Sequence, residues 1–508
     1  MIAPPLTHSF ILARRQKPVV LTISASDSSG LAGSQMDARC LQGLGVHAAQ
    51  AMTAVTAQNS GEFSALNAIS ASQLESQIDA ALALKPQLIK VGMLASGEQV
   101  AMLAKKLPAL KLPVVYNPVL QTSSGRVVVD ECLLAQIKKT LLPGCDLITP
   151  NLPEAELLSG LSADTGQAKN SVADALQSMG AKAVVICGGH SAGPFAEDFC
   201  YTPAANFSLR SPKLATSHLR GTGCAFASFI AGALALGYEL RDALVIAKMA
   251  MQEGLAAGLP INGEQGHLQP LGFPTKAWPQ LIDGVINPPA NSGPFAACVG
   301  GGEAASLGLY PIVDRASWLE RLLPLGVTTV QLRIKDLTGQ SLADEIHRAV
   351  ALSQRYGARL FINDYWQLAI AAGAYGVHLG QEDLHSADLA AIQRADLRLG
   401  LSSHSHFEVA RALTLQPSYL ACGPTFATTT KKMPWQVHGL AGLAYWLQAL
   451  PSTPLVAIAG IDEHNIAEVA ATGVSAIAVI TAITRAADPE QKTQRLLELI
   501  NQARRADA

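Results

Sequence analysis

Residues 307–335 read LGLYPIVDRASWLERLLPLGVTTVQLRIK. One apolar run, Leu309–Val313, stops at Asp314, a helical interval follows, and a second run, Thr329–Leu332, stops at the cations Arg333 and Lys335. The same unit recurs to the end of the chain. Further short apolar runs lie at Arg359–Ile362, Tyr375–Leu379, Leu397–Leu401, Tyr419–Cys422, Leu455–Ile458 and Ala476–Ile480, each separated from the next by a helical interval. Eight strand–helix units in about 200 residues match the lower size limit of a (β/α)8 barrel, in which eight parallel strands close on themselves inside a ring of helices. Asp314, Arg333, Asn363, Asp364, Gln381, Ser402, Thr428 and Gly460 all fall at or just after strand ends. A barrel gathers those ends on one face, so residues far apart in sequence would share one rim. Turn residues that close strands account for part of this set, but not for the adjacent Asn363-Asp364 or the paired cations.

Upstream, Gly284–Ser306 (GVINPPANSGPFAACVGGGEAAS) combines Pro288-Pro289, the Gly300–Gly302 run and a single charge, Glu303. Such a stretch cannot build a periodic apolar face and reads as a linker over 284–306, ahead of a barrel over 307–508. Residues 16–283 form a separate unit, in which apolar runs at Val19–Ser24, Val46–Thr56, Leu88–Met93, Val114–Val119, Leu147–Thr149 and Ala183–Ile186 alternate with helical stretches. That alternation predicts a mostly parallel sheet covered on both faces, with ligands beyond the carboxyl ends of its strands.

The whole chain has 508 residues, 49% hydrophobic and 15% charged, which is enough apolar material for sizeable cores and rules out a disordered chain. Its 37 Lys and Arg balance 39 Asp and Glu, so a basic nucleic-acid footprint is excluded. Eight cysteines (40, 132, 145, 187, 200, 224, 298, 422) form no CxxC pair and read as reduced thiols. The apolar patch in MIAPPLTHSFILARRQKP is too short for the core of a secretion signal, and the apolar stretch Ala225–Gly237 falls short of the ~20 residues a bilayer span needs. A soluble cytoplasmic protein is expected, with small-molecule partners, no membrane and no nucleic acid; a homodimer is left open.

In the first unit, Gly221-Thr222-Gly223-Cys224 opens the apolar helix AFASFIAGALALG. Glycines let backbone N–H groups turn toward a ligand, and a helix N-terminus favours an anion. A thiol at such a position is expected to have its pKa lowered, which makes Cys224 a candidate proton acceptor. A helix cap with a packed cysteine is the alternative for these four residues alone. Around them stand SASDSSGLAGSQMD (Ser24–Asp37), whose first charge is Asp27, then TAVTAQN (Thr53–Asn59), KVGML (Lys90–Leu94) and TPNLPEAE (Thr149–Glu156).

In this order, over about residues 18–280, the motifs resemble hydroxymethylpyrimidine and phosphomethylpyrimidine kinases of the ribokinase-like fold, an α/β/α layered architecture. The resemblance implies that Asp27, Gln58 and Met93 surround an aminopyrimidine. It further implies that Gly221 and Gly223 stabilise the transferring phosphoryl group with Cys224 as general base, and that Glu154 and Asn117 lie toward ATP and Mg²⁺. An alcohol and then its phosphate monoester would be phosphorylated, mostly by positioning and charge neutralisation. The chain departs from the family pattern at Asn117 (NPVL for DPVM), Ser123 for a frequent lysine, Cys187 (CGGH for KGGH), Leu31 between glycines, and Arg220 for a histidine. One acid and one lysine are lost together, and Arg220 could replace part of the lost cation. Asn117 and Cys187 keep a second reading open, in which the first unit only binds pyrimidine or dimerises.

In the barrel, Gln331, Arg333 and Lys335 alternate onto one side and suit a multiply charged phosphate. Asp364 and Asp383 (in HLGQED) bring two carboxylates to the same rim, hard ligands for a Mg²⁺ held largely by substrate phosphates. GPTFATTTK (Gly423–Lys431) adds hydroxyls and a cation, and AGI (Ala459–Ile461) and VITAI (Val479–Ile483) end the last two strands, where barrels often hold phosphate. Two anion stations on one rim suggest joining a diphosphate to a monophosphate. LGLYPIVD, VQLRIKD, LFINDYW, YGVHLGQEDL and GPTFATTTK together resemble thiamine-phosphate synthase over 307–500. That resemblance implies Mg²⁺ on Asp364 and Asp383. It places a pyrimidine diphosphate on Gln331-Leu332-Arg333-Ile334-Lys335, Asn363, Ser402 and Lys431, and a thiazole phosphate on Thr428, Thr429, Thr430, Gly460, Ile480 and Thr481. Ala459 stands where a glycine is usual, which requires φ < 0 or a modest strain, and Thr481 replaces a common serine.

Overall fold

A computed structural model of the protein describes residues 16–59, 62–121, 128–163, 166–189, 193–261, 264–284, 293–298, 306–428, 435 and 437–506. The chain divides between Asp283 and Gly284 into two compact units.

The first unit is built on β1 (Val19–Asp27), β2 (His47–Gln58), β3 (Phe63–Ala68), β4 (Leu88–Val91), β5 (Val114–Tyr116), β6 (Leu147–Ile148), β7 (Val184–Ile186), β8 (Phe195–Tyr201) and β9 (Asn206–Pro212). A hairpin of β10 (Leu259–Ile261) and β11 (Glu264–His267) follows, and β12 (Gln280–Ile282) completes the main sheet in the order β12-β9-β8-β7-β6-β5-β4-β1-β2-β3. The centre, β2-β1-β4-β5-β6-β7, is parallel. The edges β3, β8, β9 and β12 pair antiparallel. The parallel centre matches the apolar runs because strands buried on both faces must be apolar throughout; all nine residues of β1 but Ser26 are buried. The antiparallel edges carry short, mixed patterns such as FSALNA and NFSLRSP, which do not stand out.

A bulge between Ser24 and Ser26 bends the end of β1 into the glycine loop before the helix Gly33–Gly43. Beneath that loop Lys90 of β4 and Asp37 of the helix form an ion pair (2.8 Å) with no solvent exposure. Asp37 also accepts from Ser24 and Ser228, both at 2.8 Å, tying β1, β4 and the helices Gly33–Gly43 and Thr222–Ala235 to one carboxylate. Burial works against the Lys90 ammonium, but Asp37 outweighs it and holds its pKa above the ordinary value.

In the second unit, β13 (Gly308–Val313), β14 (Thr329–Leu332), β15 (Arg359–Asn363), β16 (Gly376–Leu379), β17 (Arg398–Ser403), β18 (Tyr419–Cys422), β19 (Leu455–Ala457) and β20 (Ala476–Val479) close into a parallel barrel in sequence order. Closure is the β13–β20 pairing, Leu309 opposite Ile477. The core inside is aromatic, with Tyr310, Phe361 and Tyr419 in edge and tilted contacts. Residues 293–298, within the stretch read as a linker, pack on this barrel. Phe295 N–H donates to the Gln416 carbonyl (3.0 Å), Ala296 accepts from Ser418, and Cys298 is buried in the barrel cluster.

Candidate active sites

The polar residues singled out in the first unit collect at the carboxyl ends of its parallel strands. Asp27 ends β1, Gln58 ends β2, Met93 follows β4, Asn117 follows β5 and Cys187 follows β7. Two of these ends, and Thr149 after β6, hold buried oxygens with no hydrogen-bond partner among the described residues: Asp27 Oδ2, Asn117 Oδ1 and Thr149 Oγ1. An orphaned buried acceptor costs free energy unless a ligand completes it, so the three together mark a place built for one. Thr149 was legible only as part of TPNLPEAE. The other Asp27 oxygen accepts from Ser29 N–H (2.8 Å) and its hydroxyl (2.7 Å). Ser28 is bonded both ways to the Gln58 backbone. Gln58 itself donates to Thr56 (3.0 Å) and accepts from Arg220 (3.1 Å), so Arg220 is engaged with the residue expected to read the pyrimidine.

Gly221 caps the helix Thr222–Ala235 at φ +73°, and a Cβ there would lie 2.3 Å from the Leu31 carbonyl, so only glycine lets the two loops meet. Gly223 faces the Asn117 amide, which donates to the Thr149 carbonyl at 3.2 Å. Cys224 occupies the third helical position, partly buried. Its thiol is held above the ordinary value, contrary to the lowered pKa expected of a helix N-terminus. Burial raises it, and Lys90 and the Gly33 N–H bonded to the sulfur only partly offset burial and the Asp37 charge. Cys187, likewise, is pushed up by burial. Behind it, Lys248 pairs with Asp198 (2.7 Å), whose other oxygen accepts from Gly188 N–H (2.9 Å) and fixes the backbone just after Cys187. Ser123 lies outside the described residues.

Glu154 is nearly buried. Its Oε2 accepts from Asn151 N–H (2.9 Å), Oε1 accepts from Leu120 N–H (3.3 Å), and Asn151 returns a bond to Glu154 N–H (2.9 Å), forming a capping box on the helix Leu152–Ser159. Burial raises its carboxyl to about 7 against those two N–H donors. The carboxylate expected near Mg²⁺ therefore also holds together the loops after β5 and β6.

On the barrel rim, β14 ends at Leu332, so strand alternation orients only Gln331, which is buried. Arg333 is half-buried and Lys335 exposed in the loop beyond, while Leu332 and Ile334 are buried and present only backbone. Lys335 reaches Asp364 at 2.5 Å. Asp364 sits at φ +67° just after β15, next to buried Asn363. Asp383 accepts from Gly380 N–H (2.8 Å) and stands beside Asp364. Burial pushes the Asp383 carboxyl above its usual range, the Gly380 N–H opposes this, and the Asp364 and Glu382 charges add to the rise. Two carboxylates crowding each other beside a lysine fit a divalent cation shared with substrate phosphates. Among the described residues no third His, Cys, Asp or Glu completes a protein-only metal cage.

Ala459 adopts φ +80°, so of the two outcomes expected for it the strained one holds; its carbonyl accepts from Phe426 N–H (3.0 Å), and the next residue is Gly460 at φ +66°. A Cβ at Gly460 would lie 2.5 Å from the Ala427 carbonyl. Ile480 caps the short helix Thr481–Thr484 across the rim, and Thr428 is half-buried. Thr429, Thr430 and Lys431 lie outside the described residues. Ser402 accepts or donates at 2.9 Å with His378, a buried ring that sequence reading passed over; burial lowers its pKa to about 4 and leaves it neutral.

Residues 27–269 match the family model for phosphomethylpyrimidine kinase, and residues 309–483 that for thiamine monophosphate synthase. The chain is 55% identical over 201 residues to a thiamine-phosphate synthase of Yersinia pestis (strain Pestoides F), covering 40% of this chain and 94% of that one. With that of Serratia proteamaculans (strain 568) the identity is 56% over 194 residues, covering 38% and 92%. Among solved structures, the ADP complex of pyridoxal kinase from Staphylococcus aureus shares 27% identity, covers 52% of this chain and 98% of its own, and has a TM-score of 0.49. A phosphomethylpyrimidine kinase from Clostridium difficile 630 shares 30%, covers 47% and 99%, and has a TM-score of 0.42. The chain therefore belongs to the thiamine-phosphate synthase family through its barrel and carries a phosphomethylpyrimidine kinase domain before it, which makes it a bifunctional enzyme of thiamine biosynthesis.

Proposed function

We propose that residues 16–283 phosphorylate 4-amino-5-hydroxymethyl-2-methylpyrimidine and its monophosphate with ATP, and that residues 307–508, joined through 284–306, condense the resulting diphosphate with the thiazole phosphate. In the first site Asp27, Gln58 and Met93 enclose the pyrimidine. The Gly221–Gly223 backbone receives the transferring phosphoryl group, and Cys224 takes the proton of the attacking oxygen when in its thiolate form, which burial disfavours and Lys90 favours. Asn117 and Glu154 lie on the nucleotide side. The orphaned oxygens of Asp27, Asn117 and Thr149 support this placement.

In the second site Arg333, Lys335, Asn363 and Lys431 hold the diphosphate while Gln331 and Ser402 hold the ring. The bond from the pyrimidine methylene to diphosphate breaks, and the thiazole nitrogen forms the new bond to that carbon. Mg²⁺ bound by Asp364 and Asp383 would supply positive charge to the leaving diphosphate. Thr428–Thr430, Gly460 and the Ile480–Thr481 backbone receive the thiazole phosphate. The observation that carries this half is the meeting of Asp364 and Asp383, from two different strand ends, beside Lys335. All eight cysteines are free thiols, which suits a reducing cytoplasm. No helix among the described residues is long and apolar enough to cross a membrane.

Two variants test the assignment together. Asp364→Asn is expected to abolish thiamine phosphate formation from supplied diphosphate and leave ATP-dependent pyrimidine phosphorylation intact; Cys224→Ala is expected to do the reverse. An Asp364→Asn enzyme with unchanged magnesium dependence contradicts the metal assignment, and kinase turnover retained by Cys224→Ala removes the cysteine as base.

A further inference from the structure

A continuous line of buried polar groups crosses the barrel core between the two residues placed on the pyrimidine. Gln331 Nε2 lies 3.4 Å from the Tyr310 hydroxyl, which lies 2.8 Å from the Tyr419 hydroxyl. Tyr419 is 2.7 Å from His378 Nδ1, and His378 Nε2 is 2.9 Å from Ser402 Oγ. Tyr310, Tyr419 and His378 are all buried, on three different strands.

The direction of each bond follows from counting protons. An amide nitrogen only donates, so Tyr310 accepts from Gln331 and must pass its own proton to Tyr419. Tyr419 then has one proton left, for His378 Nδ1. A neutral imidazole carries a single N–H, now at Nε2, and donates it to Ser402. Ser402 keeps its own hydroxyl proton for the cavity. Run the other way, the chain would need the Gln331 amide turned over so that its oxygen accepts from Tyr310, and would turn the Ser402 proton away from the ligand.

We infer that Tyr310, Tyr419 and His378 are positioning residues that fix the hydrogen-bond polarity of the pyrimidine site, making Ser402 a donor to a ring nitrogen and turning the Gln331 carbonyl oxygen toward the exocyclic amino group. The inference rests on the placement of the pyrimidine at Gln331 and Ser402. It identifies the recognised edge as an acceptor nitrogen beside a donor amino group, and it gives the three inward-facing core residues a role in specificity besides packing. A chain of this kind acts as one unit, since breaking any link lets every later proton reorient.

The test uses the full chain, supplied with pyrimidine diphosphate and thiazole phosphate. Tyr419→Phe keeps the ring and removes one link. It is expected to raise KM for the pyrimidine diphosphate about tenfold, the size of one lost hydrogen bond, with KM for thiazole phosphate and kinase turnover unchanged. Tyr310→Phe should give the same selective rise, and the double variant should be no worse than either single, which general loss of core packing would not produce. Histidine ¹⁵N NMR, with the His378 signal assigned by its loss in His378→Gln, should show Nε2 protonated and Nδ1 bare, and the Nδ1 signal should move in Tyr419→Phe. An Nδ1-protonated His378, or an unchanged KM in both tyrosine variants while Ser402→Ala raises it, overturns the chain alone. An unchanged KM in Ser402→Ala overturns the placement of the pyrimidine as well.

Discussion

Glu154 joins two jobs at one side chain, and its buried position sets a pH dependence. Its folded value of about 7 lies above the ordinary 4.5, so between them the folded state holds a proton that the unfolded chain has lost. Stability from this group is complete below about 4.5 and declines as pH rises through 7, by an amount on the order of 3 kcal/mol. Glu154→Gln keeps one acceptor of the capping box and has no charge to bury. Urea midpoints of the kinase unit should therefore fall from pH 5 to pH 8 in the native chain and stay nearly level in the variant; parallel slopes would show that Glu154 is not the group responsible. Ala459 is the other residue whose backbone state carries a consequence. At φ +80° its Cβ is strained, and Ala459→Gly should stabilise the barrel by up to about 1 kcal/mol, the relief being partly offset by the greater freedom of glycine when unfolded; a lower barrel melting temperature would contradict this. Both residues were visible in the sequence, Glu154 in NLPE and Ala459 as a departure from glycine. The raised thiol of Cys224 was not, because its cause is burial, and helix position alone suggests the opposite.

At the scale of elements, all eight barrel strands were legible because parallel strands buried on both faces are continuous apolar runs, and each helix separates one run from the next. The antiparallel edge strands were not, since an edge such as Phe63–Ala68 buries none of its residues and leaves a short, mixed pattern. The Asp37–Lys90 pair was also hidden, its partners lying on a helix and a strand 53 residues apart. With three other elements bound to the Asp37 carboxylate, its loss should cost more than a surface bridge. Asp37→Asn leaves the Lys90 ammonium buried without a counter-charge and should destabilise the kinase unit by about 3–5 kcal/mol, whereas Asp37→Leu with Lys90→Met, which removes both charges, should recover much of that. Hydrogen exchange of the β1 and β4 amides under mild urea reads the difference, and equal protection in all three proteins would show the pair to be energetically idle.

Across the whole molecule, the proposed function has one heterocycle handled twice, first where phosphoryl groups are added and then where they leave. The motifs made both chemistries legible in outline, but not whether Asn117 and Cys187 spare the kinase. The Asn117 amide lies against Gly223 of the glycine loop, and Gly188, next to Cys187, is bonded to Asp198, which Lys248 pairs. The most direct test is to give the purified chain the hydroxymethyl pyrimidine, MgATP and the thiazole phosphate together and to follow every pyrimidine species over time. The monophosphate and then the diphosphate should appear transiently and end as thiamine phosphate. If the pyrimidine stays unphosphorylated while supplied diphosphate is converted, the first unit is a binding module and the two-step account is wrong.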